Sequence, residues 1–185
     1  RGLNLMNRKT GSFTQYYINP NDTSSFGQNA ITAILGDKTG KLWIGSTWGG
    51  GVFLFNPGNN TFKNYLKNMN VNSIYEDADG VIWLGSNTGL YKFDRNSDGF
   101  IHYDSSPLTG ITDVFYMVED NQKHLWLGTP DGIVRLNPQR NETSVYGKNY
   151  GVSENGALYS FCYKGRDGKL FLPASDGYFS FYPNE

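Results

Sequence analysis

The chain has 185 residues, with 16 Lys and Arg against 17 Asp and Glu and a formal net charge of −1. That balance gives no electrostatic basis for binding nucleic acid or an anionic membrane surface. At 38% hydrophobic it can bury a core, and it has no run of about 18 apolar residues to predict a spanning helix.

Aromatic residues are abundant (Tyr 13, Phe 12, Trp 4) and Gly stands at 23, a mixture that suits many short strands joined by tight turns. The single Cys162 can form no intrachain disulfide and reads as a small core residue. The opening Arg1-Gly2-Leu3 is neither an initiator Met nor a signal peptide, as expected of a piece of a longer protein.

Residues 1–18 hold two strand-like runs, Leu3-Asn4-Leu5-Met6-Asn7 and Ser12-Phe13-Thr14-Gln15-Tyr16-Tyr17, which match the third and fourth strands of units further along. Asn19-Pro20-Asn21-Asp22-Thr23-Ser24-Ser25 then reads as a connecting loop. Residues 28–66 predict a four-stranded unit with strands at 31–35, 42–46, 52–56 and 61–65. A second, over residues 69–104, predicts strands at 71–75, 81–86, 90–94 and 100–103, and a third, over 110–147, predicts them at 113–119, 124–128, 133–137 and 143–146. Residues 156–183 supply three strands of a last unit, at 158–163, 170–172 and 178–182. In every unit the second strand follows the same turn: Asp37-Lys38-Thr39-Gly40-Lys41-Leu42-Trp43, Asp77-Ala78-Asp79-Gly80-Val81-Ile82-Trp83, Asp120-Asn121-Gln122-Lys123-His124-Leu125-Trp126 and Asp167-Gly168-Lys169-Leu170-Phe171.

The aromatic positions 43, 83, 126 and 171 step by 40, 43 and 45 residues. Strand units at a period of roughly 40–45 are the signature of a β-propeller, one repeat per blade. Leu42-Trp43-Ile44 is apolar on both faces, as a blade covered by a neighbour on each side requires. The fourth strands, such as Phe62-Lys63-Asn64-Tyr65, are more polar and read as outer edges. The expected fold is therefore all-β: a β-propeller fragment of about four blades of four-stranded antiparallel sheets, three complete and two partial. Apolar blade faces left uncovered would favour association with other blades of a parent propeller or with another copy of the chain.

The pattern Glu-Asp-x-x-Gly-x-Ile/Leu-Trp-Leu-Gly-Ser/Thr followed by Gly-Leu-x-x-Phe-Asp, strongest at residues 72–94 and 119–137, resembles the two-component regulator propeller repeat. Gly45-Ser46-Thr47-Trp48-Gly49-Gly50-Gly51-Val52 resembles a further variant of it. The resemblance implies a piece of the periplasmic sensor region of a hybrid sensor histidine kinase of the Bacteroidetes type, held at the inner membrane and responding to oligosaccharides. It implies no catalysis, no metal and no cofactor in this chain.

Trp43, Trp83 and Trp126 recur at one position inside an apolar strand, which marks them for blade packing rather than sugar stacking. Asp77, Asp79 and Gly80, with their equivalents Asp37, Gly40, Asp120, Asp167 and Gly168, read as turn residues, with metal ligation as the alternative. Asp94-Arg95-Asn96-Ser97-Asp98-Gly99 matches half of a calcium loop but has Ser105 where the twelfth position needs Glu, so it reads as a turn. His102 and His124 have no partner spacing that suggests catalysis. Trp48 differs, because it lies in a loop between second and third strands. Strand parity places it on one rim with Asn29, Asn72, Asn87, Asp113, Asp131 and Tyr159. An indole beside amides and carboxylates offers a sugar both a stacking face and hydroxyl partners. A propeller lyase or hydrolase with acids at its axis, and a scaffold that binds nothing, are the competing classes.

Overall fold

The computed structural model describes residues 3–16, 30–103, 111–152, 161–174 and 177–184. Its strands are β1 (Leu3–Met6), β2 (Phe13–Tyr16), β3 (Ile31–Gly36), β4 (Leu42–Ser46), β5 (Gly51–Asn56), β6 (Thr61–Tyr65), β7 (Val71–Glu76), β8 (Ile82–Ser86) and β9 (Gly89–Asp94). They continue with β10 (Gly99–His102), β11 (Tyr116–Glu119), β12 (Leu125–Thr129), β13 (Gly132–Leu136), β14 (Thr143–Tyr146), β15 (Tyr163–Lys164), β16 (Leu170–Ala174) and β17 (Gly177–Phe181). A single 3-10 turn, Lys148–Tyr150, is the helical element among the described residues. Each sheet runs in sequence order: β1-β2, β3 to β6, β7 to β10, β11 to β14 and β15 to β17. Three four-stranded blades, one of three strands and one of two are what the repeat predicts, and the fold is that of β-propeller blades.

The chain divides into two compact units, Arg1–Val71 and Asn72–Glu185. In the first, Leu3 packs with Ile44, Phe53 and Phe55, so that the β1-β2 pair lies on the face of the β3–β6 blade. Phe55 and Phe62 stack at 4.5 Å, with the Tyr16 ring 5.2 Å from Phe55. In the second, Trp83, Leu90, Val114, Met117, Leu127, Val134 and Leu136 fill the junction between the β7–β10 and β11–β14 blades. Phe115, Val118, Trp126, Ile133, Leu170 and Leu172 fill the next junction, against β15–β17. Both faces of the middle blade are thus buried, which is why β12 is apolar at every position before its glycine. Gly128 is fixed by close approach: a Cβ there would lie 2.1 Å from the Tyr116 ring.

Two strands start later than the sequence suggests, for one reason. Residues 113–115 precede β11 instead of belonging to it, because the Val114 N–H donates to Ser86 O of the preceding blade at 3.0 Å. Cys162 likewise precedes β15, and its Sγ donates to Met117 O at 3.0 Å. The innermost segments cross between blades before they pair within their own sheet.

Candidate functional site

The repeated turn is built around its aspartate. Asp37 Oδ1 accepts the N–H groups of Thr39 (2.8 Å) and Lys41 (3.1 Å), while its Oδ2 accepts the Trp43 indole N–H at 2.9 Å. Asp77 repeats this with Asp79, Val81 and Trp83, at 3.1, 2.9 and 2.8 Å. Asp120 does so with Gln122, His124 and Trp126, at 2.9, 2.8 and 2.9 Å. Where Phe171 replaces Trp, the indole N–H is gone and the Tyr182 O–H donates to Asp167 Oδ2 instead, at 2.9 Å. Asp37, Asp77 and Asp120 thus each accept turn and indole donors, and Asp167 a turn N–H and a phenol. Trp43, Trp83 and Trp126 are buried, at 2%, 1% and 4% exposure.

Between β4 and β5 the chain does something different. Trp48 is 79% exposed and sits at φ 55°, a left-handed conformation that costs a non-glycine residue about 1 kcal/mol. Backbone bonds hold it there: Thr47 N–H to Ala30 O (3.0 Å), Gly50 N–H to Thr47 O (3.2 Å), Asn68 N–H to Gly49 O and Gly51 N–H to Met69 O (both 2.9 Å). The Asn70 Oδ1 accepts from Gly49 N–H at 2.9 Å, and the Asn64 amide donates to Gly50 O at 3.2 Å. Gly51 is required, since at φ 71° a Cβ would lie 2.4 Å from Tyr65 O. The first unit therefore carries a fixed loop whose product is an indole facing solvent.

The other rim candidates belong to the second unit, apart from Asn29 and Tyr159, which lie outside the described residues. Asn72 ties two blades together, its amide donating to Val114 O at 3.2 Å. Thr32 makes the matching bond in the first unit, donating to Val71 O at 2.5 Å. Asn87 and Asp131 are exposed in the β8-β9 and β12-β13 loops. Asp113 is half-buried, and burial raises its carboxyl above the ordinary range with no donor among the described residues to offset it. A carboxylate held without a donor is suited to receive a hydroxyl.

The Asp94 carboxylate accepts from Asn96 and Ser97 N–H groups at 3.1 Å, which makes the calcium-like stretch a turn. His102 Nε2 lies 3.0 Å from Thr88 O, and His124 Nδ1 lies 3.0 Å from Asp120 Oδ2. Among the described residues no three His, Cys, Asp or Glu side chains gather as a metal would need. Burial pushes the Cys162 thiol up to about 11.

One group escaped the sequence reading altogether. Arg140, buried in the β13-β14 turn, places Nη2 2.9 Å from Glu119 Oε1 and 3.5 Å from Asp77 Oδ2. Its Nη1 donates to Lys123 O at 2.6 Å, and its guanidinium lies 5.7 Å over the Trp83 ring. Glu119 Oε2 in turn accepts Ala78 N–H at 2.8 Å, so the cluster clamps two blades. Nothing in the sequence near Arg140 signals this, since its partners belong to other strands.

The family model described as two component regulator propeller matches residues 25–48 and 65–88. No curated protein sequence matches the chain. Among solved structures, the chain is similar to the extracellular domain of the putative one component system BT4673 from B. thetaiotaomicron, with TM-score 0.77 and 15% identity. That match covers 97% of this chain and 24% of that one. The extracellular domain of the putative hybrid two component system BT3049 from the same organism matches at TM-score 0.55 and 21% identity, over 100% and 31% of the two chains. Virginiamycin B lyase from Staphylococcus aureus matches at TM-score 0.68 and 14% identity, over 96% and 61%. The chain thus spans about a quarter to a third of the first two proteins, and at these identities the likeness establishes the fold. The segments 25–48 and 65–88, each of which contains one of the Asp-to-Trp turns, are thus similar to two component regulator propeller repeats.

Proposed function

We propose that the chain is part of the ligand-sensing propeller of a two-component regulator, that it is not itself an enzyme, and that its ligand is an oligosaccharide received on the loops around Trp48. The observation that carries this reading is the indole at 79% exposure, held at positive φ by a loop of backbone bonds. Such a residue is kept against local stability, and strain of this kind gathers at functional sites. The flat apolar face of the indole suits the CH face of a pyranose.

In this reading the parent is a hybrid sensor histidine kinase of the inner membrane, with this region in the periplasm. The extracellular placement of the Bacteroides structures supports that location. The sugar acts by binding one arrangement of the sensor more tightly than another, and it can shift signalling only by that difference in affinity. The test is thermal unfolding of the protein against a panel of plant and host oligosaccharides, for the wild type and Trp48→Ala. One glycan should raise the midpoint saturably in the wild type alone. A rise that survives Trp48→Ala would move the site elsewhere, and no rise with any glycan would overturn the sugar reading.

A further inference from the structure

We infer that the saccharide received at Trp48 is an acidic one, whose carboxylate or sulfate pairs with Lys67 while a neighbouring ring lies on the indole. This rests on the reading of the Trp48 loops as a sugar site and names the chemical class of that sugar. The net charge of −1 conceals a division of charge within the chain. The unit Arg1–Val71 carries seven Lys and Arg against two Asp, whereas Asn72–Glu185 carries nine against fifteen Asp and Glu. Residues 38–75 hold four lysines and no acid. The acid just before them, Asp37, is already engaged by turn N–H groups and the Trp43 indole. A ligand that approaches the first unit therefore meets an excess of positive charge, which draws in anions.

The loop geometry places one of those lysines beside the indole. Residues 47–50 form a turn closed by Gly50 N–H to Thr47 O at 3.2 Å, with Trp48 and Gly49 left-handed at φ 55° and 74°. Residues 66–69 form a second, closed by Met69 N–H to Leu66 O at 3.2 Å, with Asn68 at φ 70°. Asn68 N–H donates to Gly49 O at 2.9 Å, and a Cβ on Gly49 would lie 3.4 Å from Asn68 Cα, so the two turns lie against each other. Trp48 and Lys67 are each the second residue of a turn, one position before that contact. Lys67 is exposed, makes no hydrogen bond or ion pair among the described residues, and is the one charged residue in either turn. Its ammonium can meet an anion without giving up another partner, and the turn that carries it is fixed before the ligand arrives.

Calorimetric titration of the protein with matched tetrasaccharides reads the charge directly: a galacturonate tetramer against its methyl ester, and a sulfated galactose tetramer against the unsulfated one. An acidic member should bind about tenfold more tightly than its neutral counterpart, and added salt should weaken it. The pair that shows the difference tells carboxylate from sulfate. Lys67→Met should weaken that acidic tetramer about fivefold and leave the neutral one unchanged, while Trp48→Ala should weaken both. Neutral members that bind as well as the acidic ones would overturn the acidic class and leave the sugar site standing. Acidic binding indifferent to Lys67→Met, or undiminished in Trp48→Ala, would be attraction to the unit at large and would overturn it too. Failure of every tetramer, acidic and neutral, would remove the sugar reading and this inference with it.

Discussion

A carboxylate that accepts two turn N–H groups and an indole N–H has three of its roughly four lone pairs engaged, and this decides the part played by the repeated aspartates. Asp77 is the most heavily engaged, with Trp83 at 2.8 Å and Arg140 at 3.5 Å. Asp77→Ala should destabilise the protein by about 3–5 kcal/mol in urea unfolding, because Arg140 and the Trp83 N–H are left buried without it. Asp37 is less buried. Desolvation would raise its carboxyl, but hydrogen bonds from Thr39, Trp43 and Lys41 outweigh that and hold it below the ordinary carboxylate value. A depressed folded value stabilises the protein above the unfolded value of about 4 and is lost as pH falls further through the folded value. Asp37→Asn should therefore flatten the loss of stability below about pH 4 in an acid titration. Asp113 has the opposite sign, since burial raises its carboxyl. Asp113→Asn should stabilise the protein at pH 7, and the gain should shrink as pH falls toward the unfolded value of about 4. These aspartates were legible as turn residues, because Asp and Gly at fixed offsets before an apolar strand signal a hairpin. Their bond to the indole was not, since it depends on how the closed turn meets a side chain six residues on.

At the scale of the strand, the spacing of the tryptophans gave the blades almost residue for residue, with β4, β6 and β14 at the expected bounds. Alternating apolar residues between glycines leave little freedom in register when both faces are buried. What the sequence could not supply was the inner end of β11, where Val114 bonds to the preceding blade and not to its own sheet. Gly128 tests the packing directly. Gly128→Ala should cost several kcal/mol, about the size of an overpacked core, because the new methyl meets the Tyr116 ring at 2.1 Å. Gly40→Ala, at φ 82° with open space around it, should cost only about 1 kcal/mol. Equal losses at the two sites in chemical denaturation would contradict the close approach.

Across the molecule, stability and recognition are placed in different features. The second unit is joined by two apolar junctions and the buried Arg140 clamp. The first unit presents Trp48 on a loop that gains nothing from burial. Trp48 was legible as unusual because its neighbours are glycines and its counterparts in other blades are not aromatic. Asn72 also donates to Val114 O of the next blade, a bond fixed by the adjacent repeat and invisible in its own. The four indole N–H groups separate the two functions. Those of Trp43, Trp83 and Trp126 are bonded to aspartate, whereas Trp48 faces solvent. Titration of the protein with the stabilising oligosaccharide, followed by the indole N–H resonances, is the most direct test. The account predicts that the Trp48 resonance moves and saturates while the three aspartate-bound ones stay in place. A saturable shift confined to the buried tryptophans, with Trp48 unmoved, would contradict it.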